Sequence, residues 1–89
     1  MVHRDCIIGD NCKIFGNVTI GCKWSNGVND GKPPRIGDNV LVGTGAVILG
    51  DIYIGDNSII GANTTVIADV PENCIAVGNP ARIQSKRSK

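Results

Sequence analysis

The sequence predicts an all-β fold, a parallel β-helix whose coils have three flat sides. Two observations predict it: a Val or Ile recurs at every sixth position, and an Asn, Asp or Gly follows three positions later in nine of ten repeats. A polar segment interrupts this repeat once, and a segment with prolines ends it. An α-helix needs apolar residues about 3.6 positions apart and an antiparallel sheet needs chain reversals, so neither accounts for the period.

The aliphatic first position of each six-residue repeat, or hexad, is predicted to point into a shared interior, together with the small or β-branched fifth position. The Asn, Asp and Gly residues at the fourth position tolerate a left-handed backbone, so each hexad should contain a sharp corner. The first-position residues are Val2, Ile8, Ile14, Ile20, Ile36, Val42, Ile48, Ile54, Ile60 and Val66.

Three hexads are predicted to close one triangular coil, because residue types at the second position recur at every third hexad. Under this assignment the larger second-position residues share one corner, and they are His3, Leu49 and Ile67. The glycines Gly9, Gly37 and Gly55 share another corner. Successive coils would then pair as parallel strands about 4.8 Å apart.

Two segments break the repeat and divide the chain. Residues 26–35 (NGVNDGKPPR) are polar and rich in Gly and Pro, so they should loop out of a β-helix that spans residues 1–70. Residues 71–89 should form a short cap over the last coil, where Pro71 and Pro80 end regular pairing, followed by a solvated basic tail.

Composition excludes several classes of function. The formal net charge of +1 favours neither a nucleic acid nor a membrane as partner. No apolar stretch approaches the ~18 residues of a membrane span. The four cysteines form no CxxC pair and nothing indicates export, so we expect free thiols, no metal site and a cytoplasmic protein.

Two stretches resemble a known family. IGDNVLVGTGAVILGDIYIGDNSIIGAN, followed by DVPENCIAVGNPARI, is similar to the C-terminal β-helix of hexapeptide-repeat acyltransferases. GNVTIG most resembles serine acetyltransferases, whereas GKPPRIGDNV and AVGNPARI also resemble galactoside and maltose acetyltransferases. The resemblance implies a left-handed coil, a homotrimer or dimer of trimers, and acetyl transfer from acetyl-CoA to an acceptor hydroxyl. The hand rests on the resemblance alone, because parallel crossovers are right-handed in about 98% of cases.

The resemblance assigns no catalytic residue to this chain. Direct transfer needs a base for the acceptor hydroxyl and hydrogen-bond donors for the oxyanion, and histidine is the base of the family. The one histidine, His3, aligns with a corner position, and Ser25 and Pro33 stand where family members have a histidine. We therefore expect a fragment of a longer enzyme that keeps the cofactor site.

The resemblance implies six cofactor contacts. Arg82 and Lys86 would meet the phosphates of CoA as charge-assisted partners. Small residues would let backbone groups approach the pantetheine arm. The four residues along that arm are Cys22, Lys23, Thr44 and Ala62.

Three functions stay open at this point: serine O-acetyltransferase, sugar or capsular polysaccharide O-acetyltransferase, and a non-catalytic module that binds CoA or assembles. The two acetyltransferases would act on a small hydroxyl compound, whereas the non-catalytic module would bind CoA or a second copy of the chain. We also expect a homo-oligomer, because the first coil has no visible cap and its strand edges would be exposed.

Overall fold

The computed structural model describes residues 6–21, 24–25, 28–29 and 33–85, which form short strands and no helix. The predicted all-β class is confirmed. The strands are β1 (Ile7–Ile8), β2 (Lys13–Ile14), β3 (Thr19–Gly21), β4 (Trp24–Ser25), β5 (Val28–Asn29), β6 (Arg35–Ile36), β7 (Leu41–Val42), β8 (Val47–Leu49), β9 (Tyr53–Ile54), β10 (Ile59–Ile60), β11 (Thr65–Val66), β12 (Cys74–Val77) and β13 (Arg82–Ser85).

Strands from successive coils stack into three parallel faces. Face A consists of β1, β6 and β9, face B of β2, β7, β10 and β12, and face C of β3, β8 and β11. First-position residues lie directly opposite one another, as Ile8, Ile36 and Ile54 do on face A. The prediction that three hexads make one coil is confirmed, whereas the hand of the coil stays a prediction.

The interior is the aliphatic column that the repeat predicts. Ile36, Ile54 and Ile60 are between 0% and 2% exposed and belong to one hydrophobic cluster. In the first coil the equivalent residues Ile8 and Ile14 are only half-buried and pack against that cluster from its end. Each coil therefore depends on its neighbours for burial, as in other repeat architectures.

The corners between faces carry the predicted left-handed backbone at two of three positions. Corner AB comprises residues 9–12, 37–40, 55–58 and 71–74, and corner BC comprises residues 15–18, 43–46 and 61–64. Every fourth-position residue at these corners has a positive φ between 57° and 76°. They are Asn11, Asn17, Asn39, Gly45, Asn57, Asn63 and Asn73.

Corner CA, which comprises residues 50–52 and 67–69, departs from the prediction. Its positive φ of 100° lies at Gly50, one position early, and neither Asp51 nor Asp69 has a positive φ. Instead, the Asp69 carboxylate accepts a hydrogen bond of 2.9 Å from the backbone N–H of Tyr53. A side-chain acceptor therefore stabilises this bend in place of the left-handed residue.

The predicted loop 26–35 coincides with an insertion between the first two coils. Asp10 and Asp38 are equivalent and 28 positions apart, whereas Asp38 and Asp56 are 18 apart. Within this insertion β4 pairs antiparallel with β5. Both boundaries are corrected: Trp24 and Ser25 already belong to the insertion, and Arg35 already pairs with β1 and β9.

The expectation that Pro71 ends regular pairing was wrong. Val70 still bridges Ile54, and β12 continues face B beside β10. At corner AB the second-position N–H donates to the coil above, as Gly55 N–H does to Val70 O at 2.7 Å. Pro71 lies in the last described coil of face A, so no described strand lies above it to accept a backbone hydrogen bond. Proline has no backbone N–H, and at this position its absence breaks no bond between coils.

The chain closes its C-terminal end by reversing direction. β13 pairs antiparallel with β12, and the turn that joins them contains Pro80. This turn also covers the end of face C: Thr65 N–H donates to Gly78 O at 3.0 Å, and Ala81 N–H donates to Thr65 O at 2.9 Å. Backbone bonds therefore hold the GNPAR motif against the last strand of face C.

Candidate cofactor site

Corner BC forms a row of small residues along the axis of the column. Gly16, Thr44, Ala62 and Gly78 follow face B in successive coils, one strand spacing of about 4.8 Å apart. Carbonyl groups of this row stay within the fold: Gly45 N–H donates to Gly16 O at 3.0 Å, and Asn63 N–H donates to Thr44 O at 2.9 Å. Thr44 and Ala62 are both exposed.

The backbone N–H groups of this row differ from their counterparts at corner AB. At corner AB each of these third-position N–H groups donates to the carboxylate of the aspartate one coil above. The Asp10 N–H donates to Asp38 Oδ1 and the Asp38 N–H donates to Asp56 Oδ1, both at 2.8 Å. Thr44 and Ala62 have Ala62 and Gly78 above them, which offer no carboxylate. Among the described residues no acceptor meets these two N–H groups. They are therefore open donors for the carbonyl groups of a ligand.

A cation lies at the C-terminal end of the same row. Arg82 begins β13 and pairs directly with Val77, which precedes Gly78. The Arg82 side chain is exposed, and within the described ranges it forms no ion pair. A free guanidinium at this place suits a phosphate, which it can contact through two parallel hydrogen bonds.

Three of the six predicted cofactor residues lie close together in the structure. Thr44, Ala62 and Arg82 share corner BC and its end. Cys22, Lys23, Lys86 and His3 lie outside the described residues. Sequence reasoning overlooked the contrast between corners AB and BC, although the signal was present in the third hexad position, which is Asp at one corner and Gly, Thr or Ala at the other.

Corner AB has the opposite chemistry. It borders an open cavity of about 230 Å³ lined by Tyr53, Gly55, Asp56 and Glu72. Two carboxylates at this cavity repel a polyanion such as CoA. The two corners therefore differ in charge, with carboxylates at corner AB and an exposed guanidinium at the end of corner BC.

The described cysteines form no disulfide, as predicted, and they pack against the hydrophobic cluster of the interior. The Cys6 thiol donates to Pro34 O and the Cys12 thiol to Gly37 O, both at 3.1 Å. Burial raises the pKa of the Cys6 thiol above its ordinary value of 9.0, which keeps the thiol protonated and a poor nucleophile at neutral pH.

Two further findings concern the described ranges alone. They contain no group of three or more His, Cys, Asp or Glu side chains that would hold a metal ion. No helix among them is long and apolar enough to cross a membrane.

Comparison with known proteins defines the class first. Residues 33–68 match the family model described as bacterial transferase hexapeptide (six repeats). Together with the three-faced parallel column, this match shows that the chain carries the hexapeptide repeat of that transferase family.

Within that family the similar proteins are serine acetyltransferases. The chain is 48% identical over 83 residues to the probable serine acetyltransferase 1 of Oryza sativa subsp. japonica, across 93% of this chain and 27% of that protein. The crystal structure of Neisseria gonorrhoeae serine acetyltransferase superposes with a TM-score of 0.86 at 38% identity, across 99% of this chain and 33% of that chain. The serine acetyltransferase of Brucella abortus strain S19 in complex with coenzyme A gives a TM-score of 0.85 at 36% identity, across 96% and 33%.

The chain therefore spans between a quarter and a third of the length of these relatives.

Proposed function

We propose that this chain is the acetyl-CoA-binding part of a serine O-acetyltransferase. The observation that carries the proposal is the row of N–H donors at Thr44 and Ala62, which ends at Arg82; within the described ranges these donors have no acceptor and the guanidinium forms no ion pair. A pantetheine arm has two amide carbonyls that can accept from such donors, and its phosphates suit the cation. The names of the relatives support serine as the acceptor.

The chemistry proposed for the whole enzyme is direct acetyl transfer. The acceptor hydroxyl oxygen bonds to the acetyl carbonyl carbon, the carbon–sulfur bond breaks, and the hydroxyl proton passes through a base to the departing thiolate. In this step the described residues bind and orient the thioester. We assign the base to none of them, since they contain no histidine.

Assembly and location belong to the proposal as well. A homotrimer, or a dimer of trimers, with sites between neighbouring columns would cover the exposed row at corner BC. Three half-buried aliphatic side chains, Leu41, Ile59 and Ile75, stack along the outside of face B and support a partner there. Free thiols suit a reducing compartment such as the cytoplasm.

The substitution Ala62→Asp tests the cofactor site. By analogy with Asp56, the new carboxylate should accept the Thr44 N–H and so remove a donor from the row that would hold the pantetheine arm. We expect the fold to persist and the affinity for CoA, measured by isothermal titration calorimetry, to fall at least about tenfold.

The control is Ala68→Asp, which adds the same charge at the third hexad position of corner CA and should leave CoA affinity within about twofold. Equal loss of affinity in both variants would place the cofactor elsewhere.

Thiol release from acetyl-CoA, measured with the whole enzyme of the proposal, tests the acceptor and the alternatives. Release with serine, but not with a panel of sugars, supports the proposal. Release with a galactoside or a capsular polysaccharide would indicate a sugar O-acetyltransferase instead. CoA binding without release, with any acceptor, would indicate the non-catalytic module.

A further inference from the structure

One glycine of corner BC is unexplained by the fold. A Cβ built on Gly16 meets nothing within 4 Å, and Gly16 has no positive φ. By contrast, a Cβ on Gly43, which lies on the coil above Phe15, would come within 2.7 Å of Ala62 N. The column would accept a side chain at Gly16, so the space beside it is available to a ligand.

Gly16 also has an unusual neighbour. Phe15 occupies the second hexad position, where the next two coils of the same corner have Gly43 and Gly61. Its ring is 50% exposed at the first-coil end of the row. An exposed aromatic ring beside an open glycine makes one small apolar surface.

The position of Arg82 indicates in which direction CoA would lie along the row at corner BC. Arg82 marks the C-terminal end, beside Val77, and would hold the phosphates. Thr44 and Ala62 lie between and would hold the arm. The thioester then lies toward the first coil, about four strand spacings or ~19 Å from the cation, where Gly16 and Phe15 are.

We propose that Gly16 and Phe15 form the acyl end of the site and set the length of acyl chain that it accepts. This inference rests on the proposed function. Gly16 leaves room for an acetyl group against the backbone, and the Phe15 ring closes the space beyond it.

Binding of free CoA, acetyl-CoA and butyryl-CoA to the full chain tests the inference, because calorimetry needs no turnover. Gly16→Val should weaken the binding of acetyl-CoA about tenfold relative to that of free CoA, since the added methyl groups fill the acyl space. Phe15→Ala should raise the affinity for butyryl-CoA relative to acetyl-CoA about tenfold, from the burial of two further methylenes.

The matched control is Tyr53→Ala, which removes an aromatic ring of similar exposure, 43%, from face A. It should leave the ratio of butyryl-CoA to acetyl-CoA affinity unchanged. Thermal unfolding of each variant confirms that the column is intact.

Two outcomes overturn the inference and can be told apart. If every variant binds CoA and the acyl preferences of Gly16→Val and Phe15→Ala match the parent, the acyl end lies elsewhere while the proposed function stands. If the parent chain binds neither CoA nor acetyl-CoA, the proposed function fails, and this inference fails with it.

Discussion

At the scale of the residue, asparagine sets the corners of this molecule. Asn57 has a φ of 63° and Asn39 a φ of 59°, values that cost most L-residues about 1 kcal/mol or more. Asparagine tolerates this region better than other non-glycine residues. The fourth hexad position is thus selected by backbone geometry, which explains why it could be recognised in the sequence.

Substitution of Asn57 tests this cost. Asn57→Ala should lower the free energy of unfolding, measured by urea denaturation, by about 1 kcal/mol, because alanine resists a positive φ. Asn57→Gly is the matched control and should be nearly neutral. Equal stability of the two variants would show that the Asn57 side chain, and not its backbone, matters.

The third hexad position of corner AB forms an aspartate ladder, in which each carboxylate accepts the N–H of the aspartate one coil below. Asp10, Asp38 and Asp56 make two such bonds of 2.8 Å. Above Asp56 the residue is Glu72, whose longer side chain makes no such bond among the described residues. The ladder therefore stops one coil short of the C-terminal end.

The substitution Glu72→Asp should extend the ladder. The shorter side chain would accept the Asp56 N–H without changing charge, and a charge-assisted bond of this kind contributes about 1–2 kcal/mol. We expect a higher midpoint of thermal unfolding. Glu72→Asn, which can also accept but lacks the charge, should give a smaller gain, and a lower midpoint for Glu72→Asp would contradict the prediction.

At the scale of the element, each corner must pass close beneath the next coil. A Cβ on Gly37 would meet the Asp56 carboxylate and come within 3.0 Å of Asp56 N and 3.1 Å of Ile54 O. Backbone atoms held by the strand ladder have little room to move. At corner AB the coils are therefore too close to leave room for a Cβ, so the second position must be glycine. The φ of Gly37 is not positive, so the requirement is one of space alone.

Paired substitutions of glycine by alanine test this difference between corners. Gly37→Ala should destabilise the fold by about 1–3 kcal/mol through overpacking. Gly16→Ala should be neutral or stabilising by up to about 1 kcal/mol, because the added Cβ meets no atom and restricts the unfolded chain. Urea denaturation of both variants gives the comparison, and similar losses would mean that the space at Gly16 is not open.

At the scale of the whole molecule, burial is incomplete at the first coil and along face B. Ile7 is 64% exposed, and Leu41, Ile59 and Ile75 form a half-buried aliphatic stripe across three coils. Strand edges at the first coil have no partner among the described residues. Both features favour association with further copies.

Sedimentation velocity should therefore show a trimer or a multiple of three at micromolar concentration. Ile59→Lys should lower the mass by placing a charge in the stripe, whereas Thr65→Lys on face C should leave it unchanged. A folded monomer at all concentrations would contradict the predicted assembly.

Much of this architecture could be read from local signals. The period of six, the inward residues such as Ile36 and Ile54, and the corner asparagines each depend on a residue and its immediate backbone. Corner CA and Pro71 escaped this reasoning because their outcome depends on distant partners: Asp69 caps the N–H of Tyr53, and Pro71 follows the last ladder bond of its face.

The sequence by itself determined the triangular coil, its core and its family resemblance, because a repeat of aliphatic and left-handed positions permits few other folds. Only the tertiary structure shows which corner leaves its third-position N–H groups without an acceptor among the described residues. That property depends on the residue one coil above, a carboxylate over Asp38 and a methyl group over Thr44, so it arises only when the coils stack.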